Sequence, residues 1–328
     1  IQKKILLLGS VPIRIGLASI AVGIRLIRIR ISGCSRAREE ARKMTKEIRS
    51  LMPVNITQEE QSKLAAELLN ENIQVNNNVT KASNISNPKS YLISPGKVHG
   101  NYSYPDLLVS MTRLGYDNEV DRAAKKLNLT LQNTAAEQTT NQGYIGKINW
   151  HSALKLNLTL DSFTLNIRQY LDFLNLLKSG KAFYGDGSKA DKKVLNNLLD
   201  EISTVRDPWR AEWLDADFKV KDDKLYINYN HKLDNNKLKP QKTELLEECI
   251  LEDRTPGINL DNFLMNATSQ GLPKKNVKTG DLYYYAPDKD NNSVARFGAD
   301  SDGADLNCNG DPSDSDSVLG VRRAKIKG

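Results

Sequence analysis

Residues 298–318 read GADSDGADLNCNGDPSDSDSV, and this stretch near the C-terminus decides which fold the sequence predicts. Eleven of its twenty-one residues are Asp, Gly or Asn, and none is Lys or Arg. The composition alone allows a disordered acidic tail. However, residues 294–297 and 319–322 have the pattern of strands, so segments that are predicted to fold bracket the polar stretch.

Inside the stretch, Leu306 and Cys308 alternate with Asn307 and Asn309. Successive side chains of a strand point to opposite faces, which puts the apolar pair inward and the amides outward. The pattern therefore predicts an exposed polar surface on a rigid frame.

A calcium loop is another interpretation of the same stretch, because Asp300 and Asp302 supply hard oxygen ligands. An EF-hand needs oxygen ligands at positions 1, 3, 5 and 12 and Gly at position 6. Ala304, Asp305 and Asp311 stand at positions 5, 6 and 12, so the spacing does not fit. No metal site is predicted, and a calcium-dependent carbohydrate-binding surface lectin is kept as the alternative function.

Upstream of this stretch, helical and strand patterns follow each other irregularly. Residues 167–177 and 190–203 have apolar residues at helical spacing, whereas residues 144–150, 154–160 and 219–229 alternate as strands do. Regular βαβ repeats are missing from this order. The fold class predicted is therefore α+β rather than a parallel doubly wound sheet.

The first half of the chain divides differently. We predict a basic apolar leader at 1–34, a mainly helical region at 35–135, and the α+β module at 136–328. The helices of the middle region are predicted at residues 35–51, 57–72, 104–114 and 118–127, with a linker or extended segment at 76–101.

Two interpretations of the leader stay open. Residues 5–24 carry one charge, Arg14, and are just long enough to span a bilayer, so a membrane tether through residues 5–34 is one of them. An Arg near the middle of a span costs about 2.5–3.5 kcal/mol, and residues 23–32 alternate as a strand does. Cys34 follows a sequence that resembles a lipoprotein cleavage box. Localisation is open, and the cell surface or secretion is favoured.

Charge argues against nucleic acid as a partner. The formal net charge is +7, but residues 1–50 hold twelve Lys or Arg and three Glu, which is +9 and leaves −2 for the rest. A basic face on the folded part is therefore not expected.

The cysteines and histidines match no metal-binding or disulfide spacing, so no cofactor is predicted. We expect Cys249 and Cys308 to be buried small apolar residues. Trp150, Trp209 and Trp213 are expected in the core.

Short motifs near the C-terminus resemble the variable region of the target proteins of diversity-generating retroelements. The matching segments are residues 292–297 (NSVARF), 307–309 (NCN), 312–313 (PS) and 319–322 (LGVR). Two upstream segments, 146–151 (GKINWH) and 207–213 (DPWRAEW), are similar to archaeal and candidate-phylum members, so the resemblance covers roughly residues 142–328. In this family a reverse transcriptase rewrites the 3′ end of the gene at template adenines, which leaves segments dominated by residues such as Asp, Gly and Asn.

The resemblance implies a C-type lectin-type fold of the formylglycine-generating-enzyme branch with an exposed variable face. It implies binding of a protein or glycan ligand, not catalysis, since only Cys249 and Cys308 could stand for the cysteine pair of the enzymatic relative. Leu306, Cys308, Pro312 and Arg322 would belong to the frame, with Arg322 paired internally. The outward, ligand-binding residues would be Gly298, Asp300, Asp302, Gly303, Asp305, Asn307, Asn309, Gly310, Asp311, Asp314, Asp316 and Val318.

Overall fold

A computed structural model describes residues 4–8, 11–18, 26–31, 87–133 and 143–328 of the chain. The chain divides into two compact units, residues 1–80 and 81–328.

The strands and helices that follow carry labels in chain order. The strands are β1 (Lys4–Leu8), β2 (Val11–Ala18), β3 (Leu26–Ile31), β4 (Tyr91–Ser94), β5 (Lys97–His99), β6 (Tyr102–Tyr104), β7 (Leu107–Ser110), β8 (Gln132–Asn133), β9 (Ile145–Gly146), β10 (Phe183–Tyr184), β11 (Arg210–Lys221), β12 (Lys224–Tyr229), β13 (Lys232–Asp234), β14 (Lys237–Lys239), β15 (Lys242–Leu245), β16 (Arg254–Ile258), β17 (Leu282–Tyr285), β18 (Ser293–Ala299), β19 (Ala304–Gly310), β20 (Leu319–Val321) and β21 (Ala324–Ile326). The α-helices are α1 (Asn118–Lys126), α2 (Trp150–Thr159), α3 (Ile167–Ser179), α4 (Lys192–Ser203) and α5 (Leu260–Asn266), and Pro88–Ser90 forms a 3-10 turn.

The first unit contains a three-stranded antiparallel sheet in the order β1-β2-β3. The strand predicted within residues 23–32 is confirmed as β3, which pairs with β2 from Ile13 opposite Ile31 to Ala18 opposite Leu26. Among the described residues, no helix is both long and apolar enough to cross a membrane. The helices predicted at residues 35–51 and 57–72 lie outside the described residues.

In the second unit, the helix predicted at residues 104–114 is wrong. Leu107–Ser110 is strand β7, which lies inside a four-stranded sheet in the order β10-β4-β7-β21. All four residues of β7 are buried, so buried and exposed side chains do not alternate along it. Without that alternation the sequence does not distinguish a strand from a buried helix. Strands β4 and β5 likewise occupy part of the predicted linker at 76–101.

This sheet also moves the predicted boundary at residue 135. Strand β21 at the end of the chain pairs with β7, from Ala324 opposite Val109 to Ile326 opposite Leu107. The described part of the predicted helical region, residues 87–133, therefore folds in one unit with the C-terminal module.

The strand predicted at residues 154–160 is also wrong, because these residues lie in helix α2. Asn149 caps this helix by accepting a hydrogen bond from the Ser152 amide at 2.9 Å. Ala153, Leu154 and Leu156 are all buried, so the helix packs on more than one side and lacks a single apolar stripe. Helices α1, α3 and α4 confirm the remaining helix predictions within the described residues.

The largest sheet runs β15-β12-β11-β18-β19-β17-β16, and β20 pairs in parallel with the first half of β11. Phe297 and Leu306 face one large core, which also contains α3, α4 and the four-stranded sheet. Ala211 and Trp213 of β11 face a second core with α1 and α2. Mixed helices and sheets of this kind confirm the α+β class.

Candidate ligand-binding face

The predicted polar segment lies on β19 and on the loops at its two ends. Strand β19 has β18 on one side, with Asp305 opposite Gly298 and Asn307 opposite Arg296. On its other side β17 runs parallel, with Tyr285 beside Asn307. Leu306 and Cys308 are fully buried on the opposite face, which confirms the predicted alternation. Three strands therefore contribute side chains to one polar face.

The twelve predicted outward residues differ in exposure. Asp302, Asp311 and Asp316 are exposed, and Asp300, Asp305, Asn309 and Asp314 are half-buried. The other five are buried and not exposed as predicted, namely Gly298, Gly303, Asn307, Gly310 and Val318, although Asn307 lines the pocket described below. The segment is thus more closely packed into the fold than its composition indicates.

Gly298 and Gly310 are buried because neighbouring strands approach them closely. A Cβ atom at Gly298 would lie 2.9 Å from the Arg210 carbonyl oxygen and 3.0 Å from Asp305 Oδ2. At Gly310 it would lie 3.1 Å from the Val294 carbonyl oxygen. Val318 is also buried, and its carbonyl oxygen accepts a hydrogen bond from Arg113 at 2.8 Å.

Four of the aspartates hold the backbone of their own loops. Their Oδ1 atoms accept hydrogen bonds from the amide two residues further on, which is the Asx-turn pattern. The distances are 2.8 Å from Asp302 N to Asp300, 2.8 Å from Ser313 N to Asp311, 3.3 Å from Asp316 N to Asp314 and 3.2 Å from Val318 N to Asp316. These carboxylates shape the loops, whatever else they contact.

A pocket of about 350 Å³ opens on this face. The predicted segment contributes Asp300, Ser301, Asp305 and Asn307 to its lining. Its other walls come from residues that the sequence analysis did not select, namely Arg206, Asp207, Trp209, Tyr285 and Arg296. Its size falls in the range of ligand-binding sites, but with two aromatic and seven polar or charged residues its lining is more polar than that of most small-molecule pockets.

Of the three tryptophans expected in the core, Trp209 meets the prediction only in part, because it packs against the second core from a half-buried position. Trp150 and Trp213 are buried as expected, and their indole nitrogens donate to the Leu214 and Ile148 carbonyl oxygens. Trp209 is half-buried and lines the pocket. Its position just before β11 was the available signal, because residues at strand ends are free to face a site.

Both arginines of the pocket have acidic partners outside it. The Arg296 guanidinium lies 5.1 Å from the centre of the Trp209 ring and forms an ion pair with Asp314 at 3.2 Å. Arg206 forms an ion pair with Glu201 at 3.3 Å. The pocket therefore combines cations and carboxylates, and its charge is not simply the negative charge of the segment.

Asp305 is the most perturbed acid of the pocket. Burial raises the pKa of its carboxyl group to about 6, since the nearby Arg296 lowers the pKa less than burial raises it and Asp300 raises it further. A carboxylate in this position exchanges protons in the range where proteins usually work.

The four predicted frame residues, Leu306, Cys308, Pro312 and Arg322, are all buried, and Arg322 is paired internally as predicted. Arg322 donates from Nε and Nη2 to the Glu212 carboxylate at 2.8 and 2.6 Å, and Arg210 donates to the same group at 2.8 Å. Burial raises the pKa of Glu212, but Arg322 and Arg210 outweigh it, so the pKa lies below its usual value. The thiols of Cys249 and Cys308 are free and buried, and burial raises both pKa values, that of Cys249 to about 12.

A larger cleft of about 660 Å³ lies elsewhere in the second unit. Several of its polar side chains already have protein partners, since Glu244 accepts from the Tyr229 hydroxyl at 2.9 Å and His99 Nε2 lies 2.7 Å from buried Asp172. Glu247 accepts from the Ser269 amide at 3.1 Å. These contacts explain the cleft as part of the fold.

Within residues 87–133 and 143–328, no three His, Cys, Asp or Glu side chains gather in a way that could hold a metal ion. The chain was compared with protein-family models, with curated proteins and with solved structures, and no match was found in any of the three.

Proposed function

We propose that the protein is a non-catalytic ligand-binding protein whose C-terminal segment, residues 298–318, is a hypervariable surface diversified by a retroelement. In this proposal the second unit has a C-type lectin-type fold, and a protein or glycan ligand binds at the pocket and the loops around it. The observation that carries the proposal is that Asp300, Asp305 and Asn307 meet Trp209 and Tyr285 in one pocket.

Support comes first from how the face is built. The side chains of Asp305 and Asn307 leave β19 toward the pocket, while Leu306 and Cys308 fill the core behind them. Exposed substitutions usually change the free energy of unfolding by less than about 0.5 kcal/mol, whereas core substitutions cost several. Such a frame tolerates substitutions at exposed positions and is destabilised by substitutions in the core.

Further support comes from the exposure of the segment, since some of its positions have room for other side chains and some do not. Asp302 is exposed and its side chain holds no turn among the described residues, and Asp305 and Asn309 are half-buried. Gly298 and Gly310 cannot accept a side chain without a shift of the backbone. Diversification that preserves folding should therefore concentrate at Asp302, Asp305 and Asn309. It should leave the two glycines unchanged.

The experiment is sequencing of the 3′ end of the gene and its flanking DNA across the source population. We expect a near-copy repeat beside a reverse-transcriptase gene, and substitutions that trace to template adenines at the codons of Asp302, Asp305 and Asn309. A segment that is identical in all genomes, with no repeat and no reverse transcriptase, would overturn the proposal.

A binding experiment tests the ligand site itself. A library of cell-surface proteins and glycans is screened against the full chain, and each binder is tested again with Trp209→Ala and Tyr285→Ala. Loss of binding in both variants supports the pocket, with Tyr116→Ala, an exposed aromatic residue outside the pocket, as the control. Calorimetry with calcium is added, because calcium-dependent binding would favour a lectin instead.

A further inference from the structure

We propose that the pocket binds a guanidinium or ammonium group, and that Asp305 is the residue that selects this charge. The inference rests on the proposed ligand-binding function and names the chemical class that this variant recognises. It depends on three observations, which concern the partners of Asp305, the partners of the two arginines, and the space around the carboxylate.

Asp305 has no donor from the protein. Among the described residues, no hydrogen bond or ion pair reaches its carboxylate, although burial removes much of its water. The Asp300 carboxylate differs, because it accepts from the Asp302 and Gly303 amides at 2.8 and 3.1 Å. Asp305 is half-buried, so its carboxylate loses part of its hydration without gaining a donor from the described part of the protein, and a ligand that donates hydrogen bonds to it replaces what is lost.

The arginines of the pocket do not fill this role. The Arg296 guanidinium lies 5.1 Å from the centre of the Trp209 ring and forms an ion pair with Asp314 at 3.2 Å. Arg206 donates to the Glu201 carbonyl oxygen at 2.7 Å and to its carboxylate at 3.3 Å. Each arginine thus has an acidic partner that does not line the pocket, although Arg206 Nε is buried without a hydrogen-bond partner among the residues that the structure describes. The lining holds three aspartates, Asp207, Asp300 and Asp305, against these two arginines.

The pocket has the shape and walls for a cationic side chain. Gly298 stands opposite Asp305 in the strand pair and carries no side chain over the carboxylate. The rings of Tyr285 and Trp209 line the same cavity, and aromatic faces attract guanidinium and ammonium groups. A volume of about 350 Å³ accommodates one such group with part of its stem.

The charged groups near Asp305 determine how binding should respond to pH. Arg296 on β18 and Asp300 on the following loop act on it directly, and Tyr285 on β17 and Cys308 on its own strand sense its charge. A cation binds the ionised carboxylate. Because burial raises the pKa of Asp305 to about 6, the affinity for a cation should fall by about tenfold between pH 7.5 and pH 5.

The test uses the full chain and two small probes, N-acetyl-arginine amide and its neutral analogue N-acetyl-citrulline amide. Trp209 is half-buried while the other two tryptophans are buried, so tryptophan fluorescence reports on the pocket, and calorimetry gives the affinity. We expect the arginine probe to bind at least tenfold more tightly than the citrulline probe. Asp305→Asn should abolish this preference, and Asp223→Asn, an exposed aspartate in the β11–β12 turn that does not line the pocket, should leave it unchanged.

Equal binding of the two probes, or an unchanged preference in the Asp305→Asn variant, would overturn the inference. No binding of the arginine probe at millimolar concentration would overturn it as well. None of these outcomes overturns the proposed function by itself. A ligand found by the screen whose binding depends on Trp209 and Tyr285 but not on Asp305 still supports that function. Circular dichroism confirms that each variant is folded before its affinity is compared.

Discussion

Asp305 couples the ligand pocket to the stability of the protein. The pKa of its carboxyl group is raised to about 6 in the folded state, above the value of an exposed Asp. The folded state therefore holds the proton more tightly than the unfolded state does. By linkage, the contribution of this group to stability is greatest below about pH 4 and is lost as the pH rises through about 6.

Asp305→Asn should consequently stabilise the protein at pH 8, where the wild-type carboxylate is ionised, and should change stability little at pH 4. The expected gain is about 1–3 kcal/mol from a shift of this size. Urea unfolding of both proteins at the two pH values measures it. A difference between variant and wild type that is the same at pH 4 and pH 8 would contradict the raised pKa.

Gly298 is the second residue with a specific consequence. Because its Cβ would lie 2.9 Å from the Arg210 carbonyl oxygen and 3.0 Å from the Ala211 Cβ, Gly298→Ala should lower the free energy of unfolding by about 1–3 kcal/mol. Chemical denaturation checks this value. Gly115→Ala is the matched control, since its nearest contact is 3.4 Å from the Gly143 carbonyl oxygen, and it should be neutral or slightly stabilising.

At the scale of elements, the pairing of β11 with its neighbours depends on a buried ion cluster. Arg322 follows β20 and donates to Glu212 of β11, and its Nη1 donates to the Ser110 carbonyl oxygen of β7 at 2.8 Å. One side chain thus joins the large sheet to the four-stranded sheet. Removing one partner of a buried pair leaves the other charge uncompensated.

Arg322→Met should therefore cost about 3–5 kcal/mol of stability, measured by urea unfolding at pH 7. Lys239→Met, which removes the exposed ion pair with Asp234, should change stability by less than about 1 kcal/mol. Equal costs for the two variants would show that the buried cluster contributes no more than a surface pair.

The elements also show where sequence patterns predict correctly. Helices α1, α3 and α4 each have an apolar face and a side-chain cap at the N-terminus, so their local signals agree with the packing. Strand β7 and helix α2 are packed on several sides, and their burial erases the period that would identify them. Errors therefore fall on elements without a clear apolar period, whereas α3 is predicted correctly although most of its residues are buried.

At the scale of the whole molecule, the sequence predicts the α+β class and the face on which β19 presents its polar residues. It does not predict the pocket, because Trp209, Tyr285 and Arg296 come from three separate segments that only the sheet order brings together. It also does not predict that several of the aspartates hold loops, since the same composition suits turns and binding surfaces.

The end of the chain closes the fold of the second unit. Ala324 exchanges two backbone hydrogen bonds with Phe163, at 2.8 and 2.9 Å, and β21 covers the outer edge of β7. A chain that stops after residue 323 should lose cooperative thermal unfolding, followed by circular dichroism. A chain that lacks only Gly328 should unfold as the full protein does.

Strand β21 follows the polar segment 298–318 in the chain, and this order has a consequence for synthesis of the protein. A ribosome must translate residues 298–318 in frame before the strand that completes the four-stranded sheet can be made. A gene copy that acquires a stop codon or a frameshift in this segment yields a product that lacks β21 and leaves one edge of β7 unpaired. Completion of the four-stranded sheet therefore requires that residues 298–318 are translated in frame, whatever amino acids they encode.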